Sequence, residues 1–304
     1  MIAVVGDSFV DVLAGVVALP QWGQDTPCAD PIQMQPGGSA LNTATQLANL
    51  GAPVAFFSAY GADAFGDLLS AHLAKHHVVS HAQALATLPT GVCIVLTGQG
   101  DRAFVTHYGA AHAFSQEHIP LERLLDARHI HVGGFYSCIG LLPDLVSLLR
   151  VAKAKGITTS LDTNYDGTEA WAHLDAVLPL VDVFLPNEVE AMRITNTTTV
   201  DAALVSLSTR GPQLTVIKTG GDGARAMAAT TKAQWRHPCF PTAVVDTTGA
   251  GDAFNAGFLY AWTQEPTDVL RALRYGCAVG SACVARLGAC LDVPSPESIR
   301  ALVQ

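Results

Sequence analysis

The sequence predicts an α/β fold: a mostly parallel central sheet flanked by helices on both faces, an αβα sandwich, with a small β-sheet lid. Three observations predict it. Short apolar, β-branched runs alternate along the chain with longer helical stretches, the pattern of strand and crossover units in a buried parallel sheet. Most of these runs end in glycine or polar residues, as strands do whose carboxyl ends border a ligand crevice. Two other stretches break into shorter strands punctuated by Gly and Pro, which suits a small separate sheet.

In chain order, the predicted core strands are IAVVGDS, VAFFSAY, HIHVGGF, ITTSLDT, VDVFLPN and LTVIKTG. Their ends, Gly6-Asp7-Ser8, Gly61-Ala62-Asp63, Asp162-Thr163-Asn164 and Asn187-Glu188, are expected to converge on one site. The lid is expected from segments at about 10–35 and 89–110, the second turning as a hairpin at Gly98-Gln99-Gly100-Asp101. From 252 to 287 the pattern is one of Ala-rich helices. With no internal repeat, low-complexity tract or linker, the whole of 1–304 reads as a single domain.

Composition narrows the function classes. A chain of 304 residues, 49% hydrophobic with mean hydropathy +0.30, can bury a large core. No apolar run reaches the roughly 18 residues of a membrane span, and MIAVVGDSFVD has no basic region before a cleavable apolar stretch. A cytoplasmic protein is therefore expected. The 7 cysteines form no CxxC pair, so neither a disulfide framework nor a zinc ribbon is indicated. A net charge of −9 without Lys/Arg clusters argues against nucleic-acid or anionic-membrane partners. A bound nucleotide remains compatible, because backbone amides, a helix N-terminus and Mg²⁺ meet its charge locally.

The segment that carries chemistry is VVDTTGAGDAFNAGF, from Val244 to Phe258. Gly249 and Gly251 let the backbone approach a ligand closely, Ala250 lies between them, and the helix start beyond supplies unpaired N–H donors. Asp252, in the first helical turn, is placed to take a proton from a hydroxyl aligned on a terminal phosphate. The plain alternative is a turn followed by an acidic residue that complements the helix dipole.

The string DTTGAGDAF resembles the second signature of the ribokinase-like (PfkB) carbohydrate kinases, and similarity to that family extends along almost the whole chain. The resemblance implies the ribokinase-like fold, a phosphotransferase (EC 2.7.1 type) using ATP and Mg²⁺, and a sugar acceptor. Gly6 to Asp11 looks like the family's first strand, implying that Asp11 binds sugar hydroxyls. Pro36-Gly37-Gly38-Ser39-Ala40-Leu41-Asn42 resembles its first signature and implies that Gly37, Gly38 and Asn42 line the substrate pocket. Gly61-Ala62-Asp63-Ala64-Phe65-Gly66 resembles its GxDxxG element. Asp162 and Asn164 resemble its DxN strand end, although many of its sugar kinases carry an Arg where this chain has Asp166.

For the nucleotide, the resemblance implies Asn187, Lys218, Gly220, Gly221, Gly223 and Thr248, with Cys277 where many relatives hold adenine with Asn. Glu190 would reach Mg²⁺ through water, and Asp246 with the 288–294 loop would bind a monovalent cation, K⁺. From the residues alone, Asn187 and Glu190 read equally as a capping box, and the 220–223 glycines as a β-turn. Asp11 and Asn42 offer the acceptor and donor types a polyhydroxylated ligand requires.

His72, His76 and His77 at helical spacing lack Cys or carboxylate partners in sequence and read as a helix face, while Trp22 and Phe104 fall in the lid, within possible reach of substrate. Three functions remain in competition: a sugar kinase (ribokinase- or fructokinase-like), a nucleoside or pseudonucleoside kinase with the same machinery, and a non-catalytic ligand sensor. A dehydrogenase or P-loop enzyme is disfavoured by the absence of GxGxxG after the first strand and of GxxxxGK[ST]. A homodimer through an apolar lid face is expected.

Overall fold

The computed structural model describes all residues except 29, 99, 100, 287, 291 and 292. The centre of the predicted 98–101 hairpin turn and two positions of the 288–294 loop lie outside the described residues.

The main sheet has nine strands. Across it run Gln234–His237, Ala224–Ala228, Leu214–Lys218, Val183–Phe184, Thr158–Leu161, His129–Gly133, Ile2–Gly6, Val54–Phe57 and Val79–Ser80. From Leu214–Lys218 to Val79–Ser80 the pairing is parallel. Ala224–Ala228 and Gln234–His237 add an antiparallel edge. All six predicted core runs supply strands of this sheet. VAFFSAY divides: Val54–Phe57 stays in it, whereas Ala59–Gly61 pairs with Gln83–Leu85 as a separate ribbon.

Helices cover both faces, so strands are buried on both. In Ile2–Gly6 every residue is buried, with Ile2 and Val4 in the apolar cluster on one face and Ala3 and Val5 in the cluster on the other. That division is the period-2 alternation of a strand, and it explains why the run is apolar throughout. The first face takes the Ala-rich helix Ala250–Trp262 and the helix Ser39–Asn49; the second takes Leu142–Ala154. His129 and His131 follow the same rule: Ile130 and Val132 join the second cluster, while both imidazoles bond Ser160 Oγ at 2.8 Å on the opposite face. Burial holds them neutral, with pKa values of about 3 and about 4.

Helix starts follow local chemistry. Asp63 caps Ala64–Lys75 by accepting from Gly66 N, and Asp268 caps Val269–Val284 by accepting from Arg271 N, each cap worth about 1 kcal/mol. Asp63 also accepts from Thr90 N and Thr90 Oγ1, at 2.8 and 2.7 Å. The GxDxxG element thereby anchors the root of the second lid segment.

The lid is a four-stranded sheet in the order Gln33–Gly37, Phe9–Gly15, Gly91–Gly98, Asp101–His107. Trp22 is fully exposed; Phe104, mostly exposed, is in register with Val95 and Leu13 and so lies on the lid face that carries Asp11. No helix among the described residues is long and apolar enough to cross a membrane.

Candidate active site

The strand Ile2–Gly6 is followed in the sheet by Val54–Phe57 on one side, while its neighbour His129–Gly133 is followed by Thr158–Leu161 on the other, so the connections of these two adjacent strands leave their carboxyl ends in opposite directions. Such a switch point opens a crevice. Asp7 follows the strand directly; its Oδ1 accepts from Ala40 N at 2.9 Å, tying the strand end to the start of Ser39–Asn49. Gly38, at φ 99°, permits the turn between lid strand and helix, since a Cβ there would stand 2.9 Å from Ser8 Cα. At Gly37 a Cβ would come within 2.2 Å of Asp11 Oδ2, so the glycine leaves the space into which Asp11 projects.

Asp252 enters from the opposite side, in the first turn of Ala250–Trp262. Its Oδ1 accepts from Ser39 Oγ and its Oδ2 from Asn42 Nδ2, both at 2.8 Å. These two bonds join the segments 36–42 and 244–258, far apart in sequence. Burial raises the Asp252 pKa to about 7; the Asn42 bond lowers it and the charge of Asp162 raises it. Asp11 is likewise pushed to about 7, by burial and then by Asp7, Asp252 and Asp246. Asp7 reaches about 6, chiefly through burial. Carboxyls that titrate this high in a crevice are suited to proton transfer.

Beyond Gly251 lies a cavity of about 430 Å³. It is lined by Lys218, Gly220, Gly221, Gly223 and Cys277 from the expected nucleotide group, and by Ala250 and Gly251 from the anion cradle. Phe240 and Phe254 add apolar walls that the sequence reading did not single out. Gly249 has φ 71° and packs so tightly that a Cβ would lie 2.3 Å from Ala289 Cβ. Thr248 is fixed by Asp246, whose Oδ1 accepts from its N and Oγ1 at 2.9 and 2.7 Å, and Arg102 of the lid donates to Thr248 Oγ1 at 3.2 Å. Asp246 Oδ2 accepts from Gly288 N at 3.0 Å, stapling the glycine turn to the 288–294 segment.

Between cavity and crevice is a buried ion pair. Lys218 Nζ donates to Asp162 Oδ2 at 2.6 Å and to Asn255 Oδ1 at 3.3 Å. Burial opposes both charges, but each outweighs that for the other: Asp162 stays below the usual carboxylate range and Lys218 above the usual amine range. This geometry departs from the expectation that Asp162 meets substrate. At 1% exposure, with Asn164 N, Lys218 and Asn255 as donors, it has no face toward a ligand. The ammonium in turn lies 3.4 Å from where a Gly251 Cβ would be, beneath the amide cradle.

Asn164 Oδ1 accepts from Gly134 N at 2.8 Å and stitches adjacent strand ends. Asp166 turns into its own loop, accepting from Thr168 and Trp171 N. Asn187 and Glu190 form the capping box of the helix Glu188–Thr195. Burial, and secondarily Asp162, push Glu190 to about 7, so it shares the electrostatic neighbourhood of the ion pair. Among the described residues no three His, Cys, Asp or Glu side chains could together hold a metal ion. His72 bonds Thr45 Oγ1 through Nε2, and burial lowers its pKa to about 4.

Asp7, Ser39 and Asn255 are the polar residues between crevice and ion pair that sequence reasoning left unassigned. Each carried a signal: Asp7 ends the first strand, Ser39 follows the glycine pair, and Asn255 is three residues beyond Asp252, on the same helical face.

Known proteins resemble this chain along most of its length. A family model described as "pfkB family carbohydrate kinase" matches residues 1–296. An ATP-dependent ribose-1-phosphate kinase from Halopiger xanaduensis is 30% identical over 275 residues, covering 88% of this chain and 86% of its own. An adenosine kinase from Saccharomyces cerevisiae is 30% identical over 246 residues, covering 75% and 72%. An E. coli protein described as a ribokinase II, solved with ATP and Mg²⁺, superposes with a TM-score of 0.86 at 26% identity, covering 100% of this chain and 98% of that one.

Proposed function

The chain belongs to the pfkB family of carbohydrate kinases, and from that premise we propose that it transfers the γ-phosphoryl group of ATP to a hydroxyl of a sugar or nucleoside, with Asp252 accepting the proton. It is an ATP-dependent phosphotransferase acting on an alcohol, with the ribokinase-like fold. The observation that carries the assignment of Asp252 is its position. It stands at a helix mouth between the amide cradle of Gly249, Ala250 and Gly251 and the acceptor-side residues Asn42 and Asp11, held by Ser39 and Asn42.

The nucleotide occupies the cavity of Gly220, Gly221, Gly223, Phe240 and Cys277, with its phosphates toward Gly251. The acceptor lies against Asp11, Gly37, Gly38 and Asn42. The acceptor hydroxyl gives its proton to Asp252 as its oxygen bonds to phosphorus, and the cradle amides stabilise the charge that spreads over the transferred group. Lys218 supplies positive charge beneath that cradle, held there by Asp162 and Asn255. The lid segments 10–35 and 89–110 exclude water, which would otherwise compete for the phosphoryl group.

Mg²⁺ supplies charge neutralisation on the phosphates when bound. Glu190 is suited to hold it through water: each of its carboxylate oxygens accepts a bond from Asn187, leaving lone pairs free, and magnesium retains waters in such sparse oxygen shells. The second ion of this reading is K⁺. Asp246 is spent on Thr248 and Gly288, so the ion would have to meet backbone carbonyls of the 288–294 segment. Seven free thiols are in keeping with the reducing cytoplasm.

One enzyme assay tests the reading. Because Asp252 acts as a base only when ionised and its pKa is raised to about 7, kcat/KM for ADP release is expected to rise with pH up to and through that value, then level off. Activity independent of pH between 5.5 and 8 would remove Asp252 from the role. The Mg²⁺ and K⁺ dependence of the same assay decides the two ion assignments.

The lid supports a homodimer: Met34, Ile94 and Val105 stand in register on one face of its sheet, and all three are exposed, an apolar surface of the kind that marks an interface. Light scattering is expected to give about twice 31.8 kDa; a mass near 31.8 kDa excludes the dimer.

A further inference from the structure

We propose that Cys239 and Cys277 form a thiol modification site in the wall of the nucleotide cavity, where a low-molecular-weight disulfide such as oxidised glutathione converts them to an internal disulfide that excludes ATP. The inference goes beyond the kinase reading and rests on it only for the cavity's occupant. Of the 7 cysteines, all free, only these two are among the described residues lining that cavity. Each thiol is bonded to a backbone carbonyl: Cys239 Sγ donates to Gly221 O at 2.6 Å, and Cys277 Sγ to His237 O at 3.7 Å. The two carbonyls lie in abutting segments, since a Cβ on Gly223 would fall 2.0 Å from His237 O. The chain on both sides of Cys239 is tied to the helix Val269–Val284 that carries Cys277. His237 meets Cys277 itself, and Phe240 N donates to Ser281 Oγ at 3.0 Å, one helical turn further on. Cys239 is thereby stationed against the helical turn that bears its partner thiol.

The surroundings suit thiol–disulfide exchange. Cys239 is partly exposed and Cys277 is 4% exposed, so the oxidant meets Cys239 first. Residues 238–247 carry neither helix nor strand, and Cys239 can turn from Gly221 O to its partner without breaking a ladder or a helix bond. Burial, and then the charge of Cys239, push the Cys277 thiol up to about 12. That leaves Cys277 the second, intramolecular attack, where proximity offsets a small thiolate fraction. In the first step the Cys239 thiolate attacks the small disulfide, forming a mixed disulfide and expelling one thiolate. In the second, the Cys277 thiolate attacks the Cys239 sulfur of that bond and expels the other. The pair loses two electrons and two protons, and the small disulfide gains them as two thiols. Gly221, Cys239, Phe240 and Cys277 all line the cavity, so the new bond redraws the wall the nucleotide needs. Linkage makes the effect mutual: bound ATP opposes the disulfide by the factor by which the disulfide weakens ATP binding.

The test incubates the full chain with oxidised glutathione, with and without MgATP, then alkylates it and maps its peptides by mass spectrometry. A peptide linking Cys239 to Cys277 is expected, with ADP release lowered by about 10-fold or more and restored by dithiothreitol. ATP at about ten times its Kd should slow formation of the link by about 10-fold. Cys239→Ser, judged against its own untreated rate, should keep that rate in the oxidant, and Cys277→Ser should stop at a mixed disulfide on Cys239. Absence of the linked peptide overturns the inference. So does a wild-type mixed disulfide that stays on Cys239, undiminished turnover by the linked protein, or inactivation of Cys239→Ser as fast as the wild type. Should a variant fail to fold, the linked peptide and its effect on the wild type decide. If the untreated protein releases no ADP with any acceptor, it is the kinase reading that fails. Calorimetric titration with ATP then judges the site: ATP bound by the reduced chain and not by the linked one supports it, and equal binding, or none by the reduced chain, rejects it.

Discussion

Asp252→Asn is expected to lower kcat by about 10³-fold, inside the 10² to 10⁴ range that general-base removal usually costs, while acceptor and ATP binding change little. The change is isosteric, and the surroundings can absorb it. Ser39 Oγ can donate or accept, and Asn42 can turn its amide so that the Oδ1 now lacking a partner accepts from the new Nδ2. Removing the charge also relieves the repulsion that Asp252 exerts on Asp11, so acceptor affinity should hold or improve. Equilibrium titration alongside steady-state kinetics separates the two effects. Loss of binding in step with kcat would make Asp252 a structural anchor, and retained turnover would place the base elsewhere.

Lys218→Met is expected to lower the unfolding free energy by about 3–5 kcal/mol, the usual consequence of stranding one member of a buried ion pair. The methionine fills much of the volume, so the cost lies in Asp162, left in the interior with Asn164 N and Asn255 as its remaining donors. A second substitution tests this directly. Lys218→Met combined with Asp162→Asn removes the stranded charge and should recover a large part of the loss, a non-additivity that a denaturant-unfolding double-mutant cycle reads. A single-variant loss below about 1 kcal/mol, or strict additivity, would show that the pair is not the stabilising unit. Activity should fall as well, by about 100-fold, because the ammonium under Gly251 is part of what stabilises transferred charge.

These residues also show how unevenly the site was legible in the sequence. DTTGAGDAF announced itself because glycine beside a helix start and an acidic residue is a contiguous arrangement, and contiguous arrangements survive in one dimension. Asn187 and Glu190 were legible as a capping box for the same reason, their bonds spanning three residues. Asp162 was read as a substrate ligand because, at the end of its strand, it resembles the family's DxN element. Lys218, 56 residues away, claims it instead, and nothing in the local pattern says which neighbour a strand-end carboxylate will meet.

The sequence by itself determined the layered α/β plan, the strands of the parallel sheet, the helix mouth carrying Asp252 and the membership of a kinase family. Each depends on spacing along the chain or on a short run of residues that must stay together to work. Only the tertiary structure decided which acids share the crevice. It brought Asp7, Asp11, Asn42 and Asp252 to one point, gave Lys218 to Asp162, and left Asn42 Oδ1 without a donor among the described residues. Burial and through-space charge set those pairings and the raised pKa values that follow, and both depend on distances that the order of residues does not contain.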